Sequence, residues 1–216
     1  MPNPLAPVKK TPLLYGHTSP NRTTPSPASP LPPVPSRPVD SDLPGRQLAA
    51  IAEVLAVARA LNMSVWLRGG WAMDFYLGRI TRAHTDIDWF AHHDDAPGLR
   101  AALLDRGYTV APPPPDPAQQ LDLSRDGVEH SFALLARDST GRPVVAGGPW
   151  AGAPWPDRML DGPSPTLAGI RCPIISPEAQ IEIKRMMPVW VPSRPRRPKD
   201  AADIALLQSA LDAQTL

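Results

Sequence analysis

The chain has 216 residues, with 22 Lys+Arg against 21 Asp+Glu and a formal net charge of +1. That length is a prior for one domain or little more, and the near-neutral charge argues against an indiscriminate nucleic-acid binder, whose affinity would rest on many cationic contacts. No apolar run approaches the roughly 18 to 20 residues that a membrane helix needs. The one cysteine, Cys172, can form neither an internal disulfide nor a cysteine-rich zinc site, so the expected compartment is the cytoplasm.

Many of the 31 prolines cluster in the first 44 residues. Proline removes backbone donors and fixes φ, and little there can build a core. Residues 1–41 therefore read as a disordered or polyproline-II tail. Two parts are expected beyond it, a core over 42–175 and a helical C-terminal segment over 176–216.

From Asp42, with Pro44 in the first turn, Leu48, Ile51, Val54, Leu55, Ala58 and Leu61 repeat at helical spacing. Ser64 to Arg68 reads as a short strand, Gly69-Gly70 as a break, and Trp71 to Leu77 as a second helix closing at Gly78. A polar connection leads to a strand over Asp86 to Ala91, a helix over Ala96 to Arg106 and a short strand at Tyr108 to Val110. The prolines at 112–115 can only be a loop. A hairpin of Gln120–Ser124 and Val128–Ala136 follows, around the turn signal Asp126-Gly127. After Pro143 to Ala146, the stretch Gly147 to Pro165 has no period and is expected as an irregular loop over a cleft; its Trp150 and Trp155 are candidates for stacking on a base or sugar. A strand pair over Leu167 to Ile175, a helix from Ser176-Pro177-Glu178 to about Met187, and a last helix from Lys199 to about Ala213 complete the chain. The order suggests an α+β fold, a sheet with helices on one face.

Chemistry concentrates between Trp66 and Asp88. Gly69-Gly70 lies between a strand and a helix, so the backbone can approach a ligand there, and a helix N-terminus presents free N–H groups to phosphates. Asp86 and Asp88 are two apart on a strand and project from one face. Two close carboxylates each favour neutrality unless a cation sits between them. A hard divalent ion such as Mg²⁺ suits them, since it takes oxygen ligands and leaves room for substrate phosphates.

Gly69 to Asp74 (GGWAMD) followed by Gly78 to Asp88 (GRITRAHTDID) resembles the aminoglycoside and lincosamide nucleotidyltransferases of the polymerase-β-like superfamily. Ser176 to Lys184 and Arg197 to Asp203 are similar to that family's late lysine-bearing helix and Lys-Asp-x-x-Asp segment. The resemblance implies a nucleotidyltransferase-fold mixed sheet flanked by helices. It also implies Mg²⁺-dependent transfer of a nucleoside monophosphate, AMP from ATP, onto a hydroxyl of a small molecule, an aminoglycoside or lincosamide antibiotic. Asp86 and Asp88 would hold the metal, and Gly69 and Gly70 would cradle the phosphates. Arg79, Arg82, His84 and Lys184 are further candidates for the nucleotide site.

One departure stands out. The family carries a third carboxylate on a strand after a glycine turn, and the best register puts Ser131 there. Glu129, on the same face, is the candidate substitute as general base. Two rival readings follow. A member without that acid binds nucleotide but has lost its chemistry; alternatively, the basic segment Arg194 to Arg197 serves an RNA or protein acceptor.

Overall fold

The computed structural model describes residues 42–112 and 116–214. The expected tail at 1–41 and most of the proline run at 112–115 lie outside the described residues. Helix α1 (Leu43–Ala60) buries Ile51, Val54 and Ala58 along one stripe. Strand β1 (Val65–Arg68) feeds directly into α2 (Gly69–Leu77), which ends at Gly78 in the left-handed conformation, φ 67°. Strand β2 (Ile87–His92), helix α3 (Ala96–Leu104) and strands β3 (Thr109–Val110), β4 (Gln120–Arg125), β5 (Val128–Arg137) and β6 (Pro143–Val145) complete the main sheet. A small hairpin, β7 (Thr166–Leu167) and β8 (Ile170–Arg171), precedes α4 (Pro177–Trp190) and α5 (Pro198–Gln214).

The main sheet has six strands in the order β1-β2-β5-β4-β3, with β6 on β5. It is mixed: β2 and β5 run parallel, and the other pairs are antiparallel. The β4–β5 turn uses Asp126 and Gly127 at φ 51° and 75°, the two positive angles a two-residue hairpin needs to match strand twist. One face of the sheet, with Leu67, Trp89, Phe132 and Leu134, packs on α1 and α3 in the largest apolar cluster. On the other face Phe90 and Leu135 meet Met159 and Ala179 of α4. The helices thus cover both faces, not one. α5 docks through Leu207 against Met73 of α2 and Ile181 of α4.

Three boundaries differ from the sequence reading. Gly69 and Gly70 form the first turn of α2 rather than a break before it. α4 continues past Met187 through Pro188 to Trp190; the proline removes the bond to the carbonyl four residues back, and the helix ends two residues later. The expected strand pair over Leu167 to Ile175 shortens to β7 and β8, because Ile174 bridges to Leu67 of β1 instead. No described helix is long and apolar enough to cross a membrane.

Candidate active site

Strand register builds the centre of the site. Arg68 stands opposite Asp88 across β1–β2, Asp88 opposite Ser131 across β2–β5, and Ser131 opposite Asp122 across β5–β4. Directly paired residues share a face, so these four polar side chains form one row across the sheet. All four are half-buried while their strand neighbours are buried, as alternation requires. Arg68 Nη2 lies 2.9 Å from Asp88 Oδ1. Gln120 Nε2 donates to both Asp122 oxygens at 2.8 and 2.9 Å and reaches Ser131 Oγ at 3.1 Å.

The glycine turn closes on the same carboxylate. Gly69 has φ 71°, and a Cβ there would collide with the Asp88 carboxylate; a Cβ on Gly70 would collide with the His84 ring. Both positions need glycine because side chains of β2 and of the loop before it already fill that space.

That loop is fixed by Asp74, which is fully buried in α2. Its carboxylate accepts from Thr81 N at 3.1 Å, Thr81 Oγ1 at 2.5 Å and His84 Nε2 at 2.6 Å. Arg82 Nη1 is 3.0 Å from His84 Nδ1 and has only protons to offer, so Nδ1 accepts and Nε2 carries the proton. The chain continues from Arg82 Nη2 to Asp203 Oδ2 at 3.3 Å, and from there to Lys184 Nζ at 2.7 Å. Asp200 binds Arg197 Nη2 at 2.9 Å and lies 4.0 Å from Lys184. One polar network therefore ties α2, the loop before β2, α4 and α5 together. Burial opposes ionisation of Asp203, but the Lys184 bond and the charges of Lys184 and Arg82 outweigh it and hold the carboxyl below its ordinary range.

These elements enclose a cavity of about 520 Å³. Gly69, Gly70, Arg82, His84, Asp86, Asp88 and Lys184 line it, as sequence reasoning expected of a shared site. Two candidates stand apart: Arg79 is exposed beyond α2, and Glu129 is exposed at the start of β5, opposite Ser124; neither lines the cavity. Ser131 does line it, beside Asp88, in the position read as that of the third carboxylate. Sequence reasoning missed Arg68, Gln120 and Asp122. The Asp126-Gly127 turn alone would have found Asp122, since a two-residue hairpin that pairs Arg125 with Val128 must pair Asp122 with Ser131.

The cavity's charge is lopsided. Arg68, Arg82, Lys184, Arg194, Arg197 and Lys199 face Asp86, Asp88 and Asp200. Burial first, then the charges of Arg82 and Arg197, push the Lys199 ammonium below its ordinary value. Such a wall suits a polyanion. Asp86 and Asp88 offer hard oxygen donors facing it, and a Mg²⁺ ion needs only one or two carboxylates when substrate phosphates complete its shell. Among the described residues no group of three or more His, Cys, Asp or Glu side chains stands ready to hold a metal alone.

A mixed sheet with an Asp-x-Asp pair at the start of β2, Asp86 just before the strand rather than in it and Asp88 within it, beside a strand–Gly-Gly–helix turn defines a nucleotidyltransferase fold. Comparison with solved structures agrees. The crystal structure of ANT(2'')-Ia in complex with adenylyl-2''-tobramycin superposes with a TM-score of 0.62 at 23% identity, covering 79% of this chain and 92% of that one. The lincomycin-bound lincosamide antibiotic adenylyltransferase LnuA superposes with a TM-score of 0.59 at 20% identity, covering 76% and 96%. The chain belongs to the aminoglycoside-2''-adenylyltransferase family, whose profile matches residues 50–205. It is 50% identical over 42 residues to 2''-aminoglycoside nucleotidyltransferases of Klebsiella pneumoniae and Escherichia coli. That match spans 19% of this chain and 24% of the relatives' own length.

Proposed function

We propose that this protein transfers a nucleoside monophosphate, AMP from ATP, onto a hydroxyl of a small molecule of the aminoglycoside or lincosamide type. The observation that carries the reading is the single cavity in which Asp86 and Asp88 face six cations across the Gly69-Gly70 turn. The acceptor oxygen attacks the α-phosphorus, the bond from that phosphorus to the β-phosphate's bridging oxygen breaks, and pyrophosphate leaves. The amides at the start of α2 and the side chains of Arg82, Lys184, Arg197 and Lys199 hold the triphosphate and offset the charge that gathers on pyrophosphate. Asp86 and Asp88 are the residues that would hold Mg²⁺, which when bound supplies Lewis-acid polarisation of the transferred phosphoryl group. Arg68 keeps Asp88 oriented along the wall. ATP as the donor places the work in the cytoplasm.

The acceptor's proton needs a carboxylate. Neither Asp122 nor Glu129 itself lines the cavity, but Asp122 stands opposite Ser131 and is bonded to Gln120, both residues of the cavity wall, whereas Glu129 is exposed outside it opposite Ser124. This supports Asp122 as the base, one strand away from the family's usual position. The basic segment before α5, a motive for an RNA acceptor, instead turns Arg194 and Arg197 into the cavity.

The test is pyrophosphate release with ATP, Mg²⁺ and a panel of aminoglycosides and lincosamides. Release that needs both an acceptor and the two aspartates, and vanishes in Asp86→Asn/Asp88→Asn, is the expected result. A folded protein that releases none with any nucleoside triphosphate refutes the transfer reading in favour of a binding-only family member.

A further inference from the structure

Beside the nucleotide cavity lies a second one of about 90 Å³, and the two share Arg68, Gln120, Met187 and Arg194. Its own walls are tryptophans. Trp150 and Trp155 come from the irregular segment after β6, and Trp190 from the last turn of α4. The segment is held in place by Val145 N donating to Ala153 O at 2.9 Å and by a bridge from Val144 to Pro154. Trp155 packs edge-on against Phe90 with ring centroids 4.9 Å apart, and its buried indole N–H has no hydrogen-bond partner among the described residues. Three aromatic rings around one small space are what an apolar ring would fill.

Charge narrows the occupant further. The charged residues that line this second cavity are Arg68 and Arg194, and no carboxylate joins them. In the larger cavity Asp86 and Asp88 face the triphosphate's metal in the reading above, and Asp200 is already bound to Arg197. Among the described residues that line the two cavities, no further carboxylate is left to receive the ammonium groups of a polycationic aminosugar, and Asp122 behind Gln120 is one acid against several cations. Each such group would lose its water beside a guanidinium, with nothing to offset the cost.

We propose that the acceptor is a hydroxyl compound with an apolar ring and at most one positive charge, its ring seated among Trp150, Trp155 and Trp190. The shared wall of Arg68 and Gln120 then directs the hydroxyl towards Asp88 and Ser131. The inference rests on the transfer reading and narrows its acceptor class to lincosamide-like molecules, although the family takes its name from aminoglycosides.

Lincomycin and tobramycin are suitable probes, one a monocation whose charge sits on a propyl-bearing pyrrolidine ring that indole faces can cover, and the other a polycation. Binding is read by calorimetry and tryptophan fluorescence, and turnover by pyrophosphate release. Lincomycin should bind at least about tenfold more tightly than tobramycin, and Trp150→Ala should weaken lincomycin about tenfold, leaving the KM for ATP unchanged. Gln119→Glu, which places a carboxylate in this wall at nearly constant shape, should shift the preference back towards tobramycin. Lincomycin bound in a Trp150-dependent way without turnover supports the pocket and sinks only the transfer reading. Tighter binding of tobramycin, no binding of lincomycin, or a Trp150→Ala protein indistinguishable from the parent overturns the inference.

Discussion

Asp203 holds two cations of the site at once, and replacing it with leucine exposes how much the network contributes. Lys184 Nζ is 2.7 Å from its carboxylate and Arg82 Nη2 is 3.3 Å away. Lys184 is 7% exposed and Asp203 2%, so water cannot take over either role. After Asp203→Leu, the remaining carboxylate near Lys184 is Asp200 at 4.0 Å, beyond hydrogen-bond reach. Stranding one buried charge costs about 3 to 5 kcal/mol. Two cations lose their partner here, so the upper half of that range is expected. Lys184→Met leaves Asp203 with Arg82 and should cost about 3 kcal/mol, the lower end of the same range. The double variant replaces both charges with apolar groups and should cost less than Asp203→Leu alone. Urea unfolding reads all three from midpoints at constant slope. The sign with pH is also fixed. A carboxyl held below its ordinary value stabilises above the unfolded chain's titration and loses that contribution as pH falls through it, so the acid limb should be shallower in Asp203→Leu. Single-variant costs below about 1 kcal/mol, typical of exposed pairs, or a double variant equal to the sum of the singles, would refute this account.

Other outcomes follow from particular residues. Burial, with a lesser push from Arg125, lowers His130 to about 4 from its ordinary 6.5. Between those values the unfolded chain binds a proton that the folded chain does not, so stability should fall with falling pH by up to about 3 kcal/mol. His130→Gln should flatten urea midpoints measured between pH 6.5 and 4, and an unchanged slope would count against it. Asp122→Asn should lower kcat by about a hundredfold or more, the usual contribution of a general base, while Glu129→Gln changes it little; the reverse order in pyrophosphate release would return the role to Glu129. Gly70→Ala forces a Cβ into the His84 ring, which Asp74 pins, and should cost about 1 to 3 kcal/mol as overpacking does. A melting profile identical to the parent would contradict that.

How much of this was legible in the sequence depends on how local each feature is. The Gly69-Gly70 turn and the Asp86, Asp88 pair are set by neighbours in the chain, so composition and alternation found them, and the cavity contains them. Asp74 bonds His84 and Thr81 because α2 turns its carboxylate inward, which helical spacing alone does not reveal. Glu129 shares a face with Ser131, as alternation predicts. Period alone does not say where the cavity rim falls, and Glu129 lies outside it. The row Arg68–Asp88–Ser131–Asp122 needs the order in which strands pair, and β2, which ends at His92, pairs with β5, which begins at Val128, a span that no short motif encodes. Lys184 and Asp203 meet only because α4 and α5 pack antiparallel, joined by a proline-rich loop. Trp150 and Trp155 sat in the one stretch without a period. Their position follows from backbone bonds to Val144 and Val145, not from any amphipathic pattern.

The edge of the sheet also decides how the site can breathe. Leu67 N donates to Pro173 O at 2.9 Å, Ile175 N donates to Leu67 O at 3.0 Å, and Ser176 N donates to Met159 O at 2.9 Å. The residues that lead into α4 are thus stitched to β1, the strand that runs into the Gly69-Gly70 turn. Mechanically, α4 is a lever clamped at its root. Its far end joins the exposed residues 192–197, with prolines at 192 and 195. Arg194 and Arg197 ride on that stretch and reach into the cavity from it. Two of the six cations on the cavity wall thus come from one exposed loop, so the place of that loop sets how much positive charge the wall presents to a polyanion.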